Sequence, residues 1–167
     1  MPELLNVLLP LILILSYFTI GVLYCLSQQA ALRSVKARNR QLAPGLVWLQ
    51  LIPMIGILCN IVMVILISDS FQKEFDSHRD DSVLGIDADT IEHMGKRPTL
   101  GLGITYFVLF LFFYLYVLLI SDNIPTFQGY VIKYLLGLLL FLTATLFFIL
   151  YWVKLVRTKR KIAGLSR

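Results

Sequence analysis

The side chains able to do acid, base or metal chemistry in this 167-residue chain gather in one stretch, 69–99, which holds eight of the ten Asp and Glu residues and both histidines. Asp87, Asp89, Glu92 and His93, with His78, Asp80 and Asp81 ahead of them, offer the carboxylate oxygens and imidazole nitrogens that hold divalent cations. Their spacing fits no established site. The glycine and twelve-residue frame of an EF-hand are missing, and His78 and His93 are too far apart for a helical His pair. The stretch reads as a solvated acidic loop, with no metal and no cofactor expected. No nucleophile elbow, P-loop, HExxH or dinucleotide fingerprint occurs. Asp69, Asp122 and His93 stand near helix ends without forming a matched acid–base pair, so no enzymatic activity is expected.

The remaining polar candidates lie in apolar surroundings. Gln50 and Asn60 are the strongest polar groups in any apolar run. On one continuous helix they stand about 15 Å apart and rotated by roughly 80°, which keeps them from sharing a ligand. Each is expected to hydrogen-bond a neighbouring helix, an interaction of about 0.6 to 2 kcal/mol in a membrane. Cys25 and Cys59 differ too much in depth for a disulfide and belong to no CxxC motif, so both read as small apolar residues.

Four apolar runs must position these groups: 4–27, 45–68, 100–121 and 134–153, each 20 to 24 residues long and free of Asp, Glu, Lys, Arg and His. As helices they measure roughly 30 to 36 Å, the thickness of a hydrocarbon core of about 30 Å. The chain is 58% hydrophobic, and the polar stretches are too short to build an independent core. The expected fold is therefore all-α and membrane-integral, one domain of four transmembrane helices in two antiparallel hairpins. The first run exceeds a signal-peptide core and follows no basic segment, so it is expected to remain in the mature protein.

The second run is the least uniform. Pro44-Gly45 opens it with proline where a missing N–H does no harm. Pro53-Met54-Ile55-Gly56 interrupts it, which predicts a helix kinked at Pro53. Beyond residue 68 the pattern continues to about residue 78 with Ile67, Phe71 and Phe75 at four-residue spacing. This predicts a helical extension whose Phe71/Phe75 stripe faces a partner. Residues 122–128 are short enough to turn the last two runs into a hairpin, and Gly137 and Ala144 in the fourth run permit close helix approach.

Charge gives the orientation. Four full crossings put the N-terminus, the 69–99 loop and the 154–167 tail on one side with ten Lys and Arg, against five for loop 28–44 and Lys133. Both termini are then expected in the cytoplasm. The bias is not uniform, because Arg33, Lys36, Arg38 and Arg40 make loop 28–44 itself basic. Folding the second run back on itself at 53–56 as a re-entrant hairpin would put every basic loop on one side and the N-terminus outside. It demands non-helical backbone buried in protein or lining water, and the kinked span is the simpler expectation. The tail carries five basic residues between Lys154 and Lys161, directly after Tyr151-Trp152, as expected of an interfacial anchor on anionic lipids. Nucleic-acid binding is not required to explain it.

The segment 38–53, RNRQLAPGLVWLQLIP, with the polar extension 70–75 and Tyr151-Trp152-Val153-Lys154, resembles a family of small bacterial inner-membrane proteins of unknown function. The resemblance implies a bacterial inner-membrane location and a characteristic patch of Arg38, Asn39, Arg40, Pro44, Trp48 and Pro53, to which Gln50 and Asn60 are added from the residue reading. The expected function is non-enzymatic, of interaction or accessory type, with a membrane protein partner or a second copy. The alternative is a small oligomeric channel or carrier whose path is lined by Gln50, Asn60 and tyrosines.

Overall fold

The computed structural model describes residues 2–52, 55–81, 97–119 and 127–165. Every regular element in it is helical: α1 (Pro2–Arg33), a 3-10 turn (Ala37–Asn39), a 3-10 segment (Pro44–Leu51), α2 (Ile55–Asp81), α3 (Leu100–Leu119) and α4 (Phe127–Leu165). Three stretches are long and apolar enough to cross a membrane, Ile55–His78, Leu100–Leu119 and Val131–Gly164. The first apolar run lies within α1.

The second run differs from the expectation of one kinked α-helix. Its first part is the 3-10 segment, and Ile52 beyond it is extended, with φ −75° and ψ 122°. Pro53 and Met54 lie outside the described residues, and α2 starts at Ile55. The two parts run in opposite directions. The Gln41 N–H donates to the Ser70 hydroxyl at 2.9 Å, and the Lys36 N–H donates to Glu74 at 3.0 Å. A straight helix over this span would separate residues 41 and 70 by roughly 40 Å. The physical reason lies in the backbone. Proline opens the 3-10 segment, the Gly56 N–H donates to the Ile52 carbonyl at 2.7 Å, and a Cβ on Gly56 would collide with the carbonyl of Gln50. Only glycine permits that approach.

The 3-10 segment packs along α1, where Leu51 rests against Gly21 and the Cys25 thiol reaches the Val47 carbonyl at 3.5 Å. Both cysteines are free. On the other side, α3 and α4 meet through Gly103 against Tyr151, Phe113 against Phe141 at 5.5 Å, and the Tyr116 hydroxyl donating to the Lys133 carbonyl at 2.6 Å. These pairs run in opposite order along the chain, so the two helices are antiparallel. Gly137 admits the ring of Tyr116, and Ala144 is fully buried.

The buried core sits at one end of the bundle. Leu32, Val35, Val47, Val64, Ile67, Phe71, Phe75, Tyr151, Leu155 and Ile162 form one cluster there. The other end, through the C-terminal half of α3 and the N-terminal half of α4, exposes its leucines, with Leu118 at 79%. In water that surface would drive aggregation, whereas hydrocarbon solvates it.

Candidate functional site

The Arg38-Asn39-Arg40 motif closes the turn between α1 and the 3-10 segment. Arg40 reaches back to the end of α1, donating from Nε to the Val35 carbonyl at 2.8 Å and from Nη2 to the Arg33 carbonyl at 3.0 Å. Carbonyls at a helix C-terminus lack intrahelical donors, so this arginine acts as a side-chain cap. Asn39 and Arg38 reach forward to α2. Asn39 donates from Nδ2 to Glu74 at 2.7 Å and Arg38 donates to the Ser77 hydroxyl at 2.7 Å.

Glu74 is the centre of this clasp. It is 1% exposed and accepts from both the Lys36 N–H and Asn39. A buried carboxylate persists only with such donors around it. His78, one turn on, places Nδ1 2.8 Å from the Glu74 carbonyl. The clasp therefore fixes the return of α2 against the loop.

A second constellation lies deeper, where α1, the 3-10 segment, α2, α3 and α4 each contribute a polar side chain. Tyr106 donates to the Asn60 side-chain oxygen. Its only proton is thereby used, so Tyr24, with its oxygen 2.9 Å away, donates to Tyr106. Gln50 donates to Gln28 Oε1 and to the Val47 carbonyl. The Tyr151 hydroxyl faces Tyr24 and Gln28 without making a well-directed hydrogen bond to either, and Gln28 Nε2 and Gln50 Oε1 also lack partners. Aromatic rings close round this network. Tyr24 meets Phe148 at 5.0 Å and Trp152 at 6.1 Å, and Tyr106 meets Tyr151 at 5.2 Å. Trp152 donates to Ser27 at 2.9 Å.

No protein-family model, curated protein or solved structure matches the chain.

The residues singled out in the sequence fall into different places. Arg38, Asn39 and Arg40 belong to the clasp, Pro44 opens the 3-10 segment, and Trp48 packs against the core. Gln50 and Asn60 fall in two hydrogen-bonded groups, Gln50 with Gln28 of α1 and Asn60 with Tyr106 of α3. Pro53 lies outside the described residues. Phe71 and Phe75 are buried within this chain, which corrects the expectation of a free partner face: the stripe is real, and the chain covers it itself. The carboxylates and imidazole of Asp87, Asp89, Glu92 and His93, and the side chains of Asp80 and Asp81, also lie outside the described residues. Among the described residues no three His, Cys, Asp or Glu side chains converge on a point where a metal could sit.

Gln28, Tyr24, Tyr106 and Glu74 carry no distinguishing signal in the sequence, and Tyr151 is marked there only as part of the interfacial Tyr151-Trp152 pair. Gln28 stands at the edge of a basic loop, the tyrosines stand in runs rich in aromatics, and Glu74 stands in a polar extension. Packing of α1, α3 and α4 brings the tyrosines and Gln28 together, and the return of α2 brings Glu74 to the loop.

Proposed function

We propose that this chain is a non-enzymatic interaction or accessory protein of a bacterial inner membrane, acting through the outer face of a re-entrant hairpin made by the 3-10 segment and α2. α1, α3 and α4 make three full crossings in this reading. Ile55–His78 is long and apolar enough to cross as a whole, but its uncharged part, 55–68, is 14 residues, roughly 21 Å against a hydrocarbon thickness of about 30 Å, and in this reading it enters without crossing. Loop 34–43, the far end of α2 and the tail face the cytoplasm, and the N-terminus lies outside. The charge distribution supports this orientation: among the described residues, every Lys and Arg except Lys133 lies at the loop 34–43 end of the bundle.

The observation that carries the functional reading is the uncovered apolar surface at the reversal. Leu46, Leu49, Ile52, Ile55 and Leu58 are exposed, Leu58 at 71%, beside backbone that is 3-10 and extended. Such backbone is tolerated at membrane depth only against protein or water. An all-leucine and isoleucine surface excludes water, so a second membrane protein or a second copy of the chain covers it. The test is a photoactivatable cross-linking residue at Leu49 or Leu58 in native membranes. A discrete protein adduct from these positions, absent from Leu118, is expected. Lipid adducts alone would contradict the reading.

The buried network favours a second reading, an oligomeric channel or carrier with Gln50, Asn60 and the tyrosines along its path. Solute flux in liposomes that disappears with Asn60→Leu would favour it over the accessory role.

A further inference from the structure

We infer that the basic end carries a headgroup site for anionic phospholipid, formed by one exposed face of the last turns of α4. Several cations at this end are already engaged. Arg38 and Arg40 are held in the clasp, and Arg97 pairs with Asp69 at 3.0 Å. Lys154, Arg157 and Lys161 make no ion pair with a carboxylate among the described residues. No Asp or Glu occurs between residues 123 and 167 or between 28 and 44.

These three cations sit on an ordered helix. α4 continues as a helix to Leu165, and Tyr151, Leu155, Thr158 and Ile162 bury one of its faces. Lys154, Arg157 and Lys161 are exposed and lie within about 60° of one another around the axis. The Trp152–Ser27 hydrogen bond sets α4 beside α1. A rigid row of unpaired cations at an interface marked by Trp152 complements a phosphodiester headgroup, and a freely moving tail would present no such row. Each Lys or Arg near an anionic leaflet contributes about fivefold in affinity.

The inference rests on the membrane placement proposed above. Full-length protein with Trp48→Phe, leaving Trp152 as reporter, is reconstituted in phosphatidylcholine bilayers doped with brominated phosphatidylglycerol or brominated phosphatidylcholine. Stronger quenching by the anionic lipid is expected, a preference of about fivefold or more, weakened in 1 M salt, where the Debye length is about 3 Å. The preference falls towards one in Lys154→Gln/Arg157→Gln/Lys161→Gln and persists in Lys133→Gln. Equal quenching by the two lipids in the parent protein, or an unchanged preference in the triple variant, overturns the inference. So does loss of the preference to inorganic phosphate but not to chloride of equal ionic strength, which would assign the cations to a soluble anion. Absence of quenching by either lipid would overturn the membrane placement as well.

Discussion

Glu74 shows how a single side chain can decide the path of the backbone. It satisfies a loop N–H and a loop amide from inside α2, so its removal leaves both donors unpaired in a buried place. Glu74→Ala is expected to destabilise the folded protein in detergent by about 1 to 3 kcal/mol. Glu74→Gln retains an acceptor and should fall between parent and alanine variant in the same thermal unfolding series. Glycines give a second residue-scale contrast. A Cβ on Gly103 would press into Val64 and the Tyr151 ring, whereas one on Gly101 meets nothing within 4 Å. Gly103→Ala should therefore destabilise by about 1 to 3 kcal/mol, and Gly101→Ala by less than about 0.5 kcal/mol. The sequence marks Arg38, Asn39 and Arg40 as a distinctive motif but not what they hold, because two of their targets, Glu74 and Ser77, lie more than thirty residues away.

At the scale of the element, apolar periodicity was informative and hydropathy was not sufficient. The Ile67, Phe71 and Phe75 stripe is buried along one face of α2, as four-residue spacing requires. Periodicity says that a face is covered and leaves open what covers it; here the cover is the chain's own core. Hydropathy reads 45–68 as one span because length and apolarity are blind to direction. The reversal is written instead in Pro44 and Gly56, whose effect depends on how closely Gln50 and Gly56 approach. Gly56→Ala should disrupt the reversal, seen as loss of any cross-link that joins the loop to α2. Its effect on stability should exceed that of Gly45→Ala, since a Cβ on Gly45 has open space.

At the scale of the whole molecule, one element's direction changes the topology of the rest. All-helical, membrane-compatible architecture is legible from the four uncharged runs, and the uneven placement of basic loops points to a conflict that four straight crossings leave unresolved. Folding the second run back removes that conflict, because loop 34–43, Arg97 and the α4 tail then lie at the same end. Reporter fusions should accordingly place the N-terminus and C-terminus in opposite compartments. The most direct test lies at the contact that makes the reversal. With Cys25→Ser and Cys59→Ser as background, Gln41→Cys/Ser70→Cys should form an intramolecular disulfide on mild oxidation in native membranes, since the Gln41 N–H and Ser70 hydroxyl are 2.9 Å apart and a disulfide needs Cα atoms within about 7 Å. Rapid formation of that bond is the predicted result; its absence, with both thiols reactive to a membrane-permeant label, would contradict the fold-back.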